Sequence, residues 1–165
     1  MDRETYLHMT EGLRARPALA RAVAVANKSI TYAIYIAYPA FLIWLFVTES
    51  PRFAAALLVP LVSFVLLTFL RKAVNAPRPY EVFDAPPVIA KDTLGKSFPS
   101  RHVFSIFVIG TTILATAPSP VPGALICMLG VALAALRVVT GVHFPRDVVA
   151  GALIGAAAGS LCFFL

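Results

Sequence analysis

The apolar residues of this chain gather into four uncharged stretches, at 29–48, 53–70, 103–136 and 148–165. A helix needs roughly 20 residues to cross about 30 Å of hydrocarbon, so the third stretch is nearly twice the length of one crossing. The Pro-Ser-Pro-Val-Pro-Gly run at 118–123 divides it. The pattern therefore predicts five spans, at about 30–47, 52–72, 101–117, 121–136 and 147–164. Lipid offers the backbone no hydrogen-bond partners, so every span is expected to be helical. The expected architecture is an all-α integral membrane helical bundle. Gly151, Gly155 and Gly159 recur every four residues in the last span and mark a face that another helix can approach closely.

Residues 5–27 lack such a run. Arg14, Arg16 and Arg21 alternate there with Leu13, Leu19, Val23 and several alanines, which reads as an amphipathic helix on the membrane surface whose second half Pro17 could start. A basic tail that only sets topology is the alternative. The chain is thus expected to comprise residues 1–28, a surface helix or basic segment, and residues 29–165, the transmembrane domain. The first 28 residues include Asp2, Glu4 and Glu11 and do not look like a cleavable leader.

Composition supports the membrane assignment, since 59% of residues are hydrophobic and only 13% charged, more apolar surface than a soluble domain of this size can bury. The formal charge of +6 raises the question of nucleic acid, but the aromatic residues lie mainly within spans and provide no base-stacking groove. Anionic headgroups or a lipid phosphate are the partners such a chain is expected to meet. Cys127 and Cys162 both fall in spans and read as structural. With five spans, thirteen of the fourteen Lys and Arg residues share one membrane face, and only Arg52 lies on the other.

Three short segments on that basic face hold nearly all the polar chemistry. The first ends the second span and presents Arg71, Lys72 and Arg78, the last followed by Pro79. Arginine suits a phosphoryl group because its planar fork donates two hydrogen bonds at once. The second opens the third span with Pro99, Ser100, Arg101 and His102; Ser100 suits the N-cap, and the first-turn N–H groups can face an anion. The third runs from Arg137 through His143 to Asp147, and Pro145 fits the first turn of the last span. Asp147 then lies about one turn beyond His143, where its carboxylate can accept the Nδ1–H and leave Nε2 free to attack phosphorus. Each segment alone has an ordinary reading: a topology signal, an interfacial histidine, a structural His–Asp pair. A metal is not expected, because His102, His143 and Asp147 are ringed by cations that repel a divalent ion.

Together, in this order and at these span ends, the segments resemble the type 2 phosphatidic acid phosphatase (PAP2) superfamily, over most of residues 53–165. Its Lys-x6-Arg-Pro motif is similar to Arg71 through Arg78-Pro79, with Arg for Lys; its Pro-Ser-Gly-His is similar to 99–102, with Arg101 for Gly. Its Ser-Arg-x5-His-x3-Asp is similar to Leu136-Arg137, His143 and Asp147, with Leu136 for Ser. The resemblance implies hydrolysis of a lipid phosphate or diphosphate in a bacterial cell membrane through a phosphohistidine, without cofactor or metal. It implies His143 as nucleophile, Asp147 as its orienting group and His102 as the acid for the leaving group. Arg71, Arg78, Arg137 and the Ser100 region are implied to bind phosphate, with Lys72 and Arg101 as further cations beside it. A lipid-phosphate-binding or flippase-like protein without turnover remains the competing reading.

The five-span arrangement predicts that single cysteines introduced at Lys91 and Phe144 react with an impermeant reagent from the same side of the membrane. Cysteines at Glu49 and Ser119 should react from the other side. Labelling of Lys91 and Phe144 from opposite sides would break the arrangement.

Overall fold

The computed structural model describes residues 1–91 and 93–165; Asp92, within the long polar connection, lies outside the described residues. The described chain is helical: α1 (Arg3–Arg14), α2 (Pro17–Val47), α3 (Phe53–Val74), the single turn α4 (Pro79–Val82), α5 (Arg101–Thr116), α6 (Val121–Val139) and α7 (Pro145–Ser160), with a 3-10 turn at Leu161–Phe163. The bundle is all-α, and its helices fall where the apolar stretches predicted. Residues 117–120 separate α5 from α6 as expected of the proline-rich run.

The N-terminal region departs from the expectation. No helix spans 5–27; the chain breaks at Ala15 and Arg16, and Pro17 opens a single helix that continues unbroken past residue 28 to Val47. The expected boundary between 28 and 29 is therefore not a break in the backbone. Proline at the first helical position lacks only an N–H that would have been unpaired, so it starts α2 where it would have interrupted a longer helix. The 31 residues of α2 extend about 46 Å, well beyond the hydrocarbon thickness, so its first turns project past the apolar layer. α1 alone remains as a short polar helix, capped by the Asp2 carboxylate accepting from Thr5 N–H at 2.9 Å.

Four helical segments are long and apolar enough to cross a membrane; α5, with 16 residues, is shorter. Its environment explains why. Eight of its residues are buried, against three of the 31 in α2, so α5 is the centre of the bundle and not a lipid-facing wall. Ile106 and Ile113 of α5 join Ile34, Ile126 and Leu133 in one apolar cluster, and Phe104 and Val108 join Leu67 in another. Ile36, Phe46, Leu66, Phe69, Met128 and Leu153 stay exposed on the outer helices, as residues that face lipid should.

Glycine sets the distances around α5. A Cβ at Gly155 would lie 2.6 Å from Phe104 O and 3.0 Å from Phe107 Cβ, and one at Gly151 would lie 2.7 Å from Ser100 O. On the other flank a Cβ at Gly123 would lie 2.4 Å from Leu114 N. α7 and α6 therefore lie almost backbone to backbone against α5, which fixes the axial register of the helices that begin and end at the polar face.

Replacing Gly155 with Val should accordingly cost about 1–3 kcal/mol, the usual penalty of overpacking. The measurement is the unfolding midpoint of the purified variant in detergent. An unchanged midpoint would mean that α5 and α7 do not approach so closely.

Candidate active site

Four helix ends meet at one membrane face. α3 and α6 end there, and their last turns carry Arg71, Lys72 and Arg137, cations where the carbonyl ends of helices are negative. α5 and α7 begin there, turning their positive ends to the same region. Ser100 N–H donates to Asp147 O at 2.8 Å and ties these two helix starts together. The connection between α3 and α5 folds over the ends and closes a cavity of about 260 Å³.

His102 and His143 both line this cavity, with Arg71, Arg78 and Arg137 beside them. Lys72, Lys91, Lys96 and Arg101 complete the charged wall, and Thr68 and Thr93 add hydroxyls. No Asp or Glu is among the described lining residues. The sequence-predicted cations and both histidines are thus brought together, although some lie more than 60 positions apart. Ser100 and Asp147 are not in the wall; both are fully buried behind it.

His143 is held from its rear. Its Nδ1 is 3.5 Å from Asp147 Oδ2, longer than a direct hydrogen bond. Ser97 stands between them: its Oγ donates to Asp147 Oδ2 at 2.5 Å and lies 3.3 Å from His143 Nδ1. The same carboxylate oxygen accepts from Phe144 N–H at 3.0 Å. The expected His–Asp pair is therefore a three-residue arrangement that includes a serine which spacing did not single out. His143 N–H donates to Arg137 O at 3.2 Å, anchoring the histidine backbone to the end of α6.

Arg71 and Lys72 differ sharply. Arg71 is buried and donates to Lys96 O, Ser97 O and Pro99 O, so it shapes the wall that carries Ser97 and Ser100 as well as facing the cavity. A guanidinium has five N–H donors, which leaves some for an anion. Lys72 is exposed, with its ammonium 5.8 Å from the Phe69 ring centroid. Arg78 donates to Gly95 O at 3.0 Å and to Val142 O at 3.4 Å, linking the connection to the residue before His143. Arg137 Nε is buried without a hydrogen-bond partner. Arg101 lies at the rim, 5.8 Å from the Phe64 ring, where the polar cavity meets an apolar groove lined by Ile34, Tyr35 and Phe64.

The structure refines one expectation and adds to another. Ser100 occupies the N-cap position of α5, but its hydroxyl makes no capping bond, and its buried Oγ has no partner. The α5 start is anchored instead through the Ser100 backbone N–H. Second, residues beyond the three segments contribute to the site: Ser97, Lys91, Thr93 and Lys96 from the long connection, and Glu81, whose carboxylate accepts from Arg78 N–H at 2.8 Å and Gly95 N–H at 2.9 Å. Of these only Glu81, three residues after Arg78 at the start of a helical turn, has a local sequence signature.

The electrostatics describe a site prepared for an anion. Burial, followed by the nearby Arg78 and Arg137, holds the Lys91 ammonium below its ordinary value. Burial lowers His143 to about 4, against the opposing pull of the Asp147 hydrogen bond, so its imidazole is neutral at neutral pH. Among the described residues no three of His, Cys, Asp and Glu form a metal-ligating group.

An all-α membrane bundle with two histidines in a cation-lined cavity at one face defines a class of integral membrane proteins that handle anionic groups. The chain matches the model of the PAP2 superfamily over residues 52–165, and it belongs to that superfamily. It superposes on Aquifex aeolicus LpxE with a TM-score of 0.73 and 27% identity, covering 98% of this chain and 94% of that one. The PAP2-type phosphatidylglycerolphosphate phosphatase from Bacillus subtilis shares the fold, with a TM-score of 0.70 and 18% identity over 96% of this chain and 83% of that one. The bacitracin transport permease protein BcrC of Bacillus licheniformis is 30% identical over 125 residues, 73% of this chain. The aligned region spans 60% of the length of that relative.

The depressed His143 value predicts an acid sensitivity. A histidine in the unfolded chain titrates near 6.5, so between about 6.5 and the folded value near 4 the unfolded state binds a proton that the folded state does not. Stability should fall as pH falls through that window. Unfolding midpoints in detergent at several pH values should decline less steeply for His143→Gln than for the unmodified protein. Equal slopes would show that His143 titrates alike in both states.

Proposed function

We propose that the protein removes a terminal phosphate from a membrane lipid phosphate or diphosphate through a phosphohistidine formed on His143. The observation that carries this reading is a buried imidazole, backed by Asp147 and Ser97, that lines a cavity walled by seven cations at a membrane face. Residues 29–165 carry every reacting group in this reading.

In the first step the Nε2 lone pair of His143 bonds to phosphorus as the bond to the lipid oxygen breaks, and His102 delivers a proton to that oxygen. Asp147 accepts through Ser97 and supports the positive charge that grows on the His143 ring. In the second step His102, now unprotonated, takes a proton from water as the water oxygen attacks phosphorus. The P–N bond breaks, phosphate leaves and His143 is regenerated. Arg71, Arg78 and Arg137 balance the equatorial oxygens, with Lys72 and Arg101 at the rim and Ser100 beneath, so no step draws on a metal or cofactor. The apolar groove that meets the cavity near Arg101 and His102 is the side on which a lipid anchor would lie.

A reading as a lipid-phosphate carrier is favoured by one finding, the word transport in the name of the BcrC relative. It predicts phosphate-dependent binding without turnover.

The deciding experiment is phosphate release from a panel of lipid phosphates and diphosphates by purified protein, with and without chelator. His143→Ala should reduce release by on the order of a thousandfold or more while the protein stays folded. Arg71→Ala should reduce the single-turnover rate by about 30-fold to 1000-fold, the equivalent of roughly 2 to 4 kcal/mol. Lys72→Ala should do far less, and Arg71→Lys should retain part of the rate. Binding without any release would favour the carrier, and normal turnover in His143→Ala would remove the mechanism.

A further inference from the structure

The proposed mechanism leaves α1 without a task, yet α1 is not an idle tail. Its residues are exposed or half-buried except for two, Tyr6 and Thr10, which are fully buried and lie one turn apart on the same face. A helix that only rests on lipid would bury an apolar stripe there. The face that α1 buries is instead pressed onto protein, at the turn that carries His143.

That turn is made by Gly141, whose φ of +74° suits glycine and strains other residues. A Cβ at Gly141 would lie 2.8 Å from Tyr6 Cε2 and 2.9 Å from Thr10 Cγ2, so the two side chains cover the turn at contact distance. Tyr6 also donates its hydroxyl to Ala85 O at 2.9 Å, and its ring lies 5.2 Å from that of Phe83. Phe83 lies in turn 5.9 Å from Phe144, edge to face, and Phe144 N–H is one of the groups that hold Asp147 Oδ2. Val88 N–H donates to Thr140 O at 3.0 Å and joins the connection to the same turn. α1 thus grips the chain two residues before His143 directly and the residue after it through Phe83.

From this geometry we infer that Tyr6 is a positioning residue for His143, α1 acting as a brace that fixes the Gly141 turn and so the direction of attack on phosphorus. The inference rests on the phosphohistidine reading above. Its partners Ala85, Phe83 and Gly141 are not among the described lining residues of the cavity, so loss of Tyr6 should leave anion binding intact. A nucleophile freed to shift by a fraction of an ångström loses rate without losing affinity. Thr10 completes the brace: its hydroxyl donates to Tyr6 O at 2.9 Å and receives Arg14 Nη2 at 3.1 Å, which stiffens the face that meets Gly141.

The test uses full-length Tyr6→Ala and Tyr6→Phe in detergent, with two readouts: the single-turnover rate on one lipid phosphate, and the constant for inhibition by inorganic phosphate. Tyr6→Ala should slow the single turnover about 10-fold to 100-fold with phosphate inhibition within about twofold of the unmodified protein. Tyr6→Phe keeps the ring on Phe83 and Gly141 and loses only the bond to Ala85, so it should recover part of the rate. Single turnover within about twofold of normal in Tyr6→Ala would overturn the inference. So would parallel loss of rate and of phosphate inhibition, which would make α1 a general scaffold. If Tyr6→Ala fails to fold, Tyr6→Phe decides: slower turnover with intact inhibition supports the brace, and unchanged turnover overturns it. An unmodified protein that releases no phosphate at all would sink the phosphatase reading, a result distinct from active protein with indifferent Tyr6 variants.

Discussion

The site depends on how α5 and α7 are registered against each other. Glycines on α7 let its backbone lie against that of α5, and the bond from Ser100 N–H to Asp147 O aligns the first turns of the two helices. One helix start carries His102 and the other follows His143, so this packing constraint places both histidines on a common cavity. Side chains of ordinary size at Gly151 or Gly155 would separate the helices and, with them, the two ends of the chemistry. The short α5 is tolerable in a membrane because its neighbours surround it, and that central position also makes it the reference for every other helix.

Charge makes the second demand. Seven cations around one cavity repel one another and are costly to hold together without an anion. The protein offsets part of this with backbone carbonyls: Arg71 is bound by Lys96 O, Ser97 O and Pro99 O, and Arg78 by Gly95 O and Val142 O. These bonds also shape the connection, so the residues proposed to hold phosphate organise the wall around it. The carboxylates near the site, Asp147 and Glu81, accept N–H and O–H bonds outside the described lining of the cavity, and two negative charges offset seven positive ones only in part. What remains for a ligand is net positive potential beside an apolar groove, the combination that an amphiphilic phosphate satisfies.

Much of this was legible in the sequence because its largest signals are local. Uncharged runs located the spans, the proline-rich run at 118–123 located a break, and the spacing of Arg71, Arg78, His102, Arg137, His143 and Asp147 placed them at span ends on one face. Contacts between distant positions were not legible. Ser97 looks like any loop serine until the connection folds it between His143 and Asp147, and Tyr6 meets Ala85 across 79 positions. The difference at the N-terminus has a related cause. Hydropathy marks where lipid begins, near residue 29, whereas the helix itself begins where Pro17 permits, so α2 is longer than its apolar core. The hydroxyl of Ser100 shows the converse: a residue type suited to capping occupied the cap position, and the backbone bond to Asp147 did the anchoring instead.

The central claim is that His143 becomes covalently phosphorylated. The most direct measurement is rapid mixing of the purified protein with a lipid whose terminal phosphate is radiolabelled, followed by alkaline denaturation and recovery of the chain within one turnover. The account predicts a label on the protein that survives base, is lost in acid, appears and decays at rates compatible with phosphate release, and is absent from His143→Ala. Phosphate release at full rate with no labelled chain at any time, or an undiminished label in His143→Ala, would contradict it.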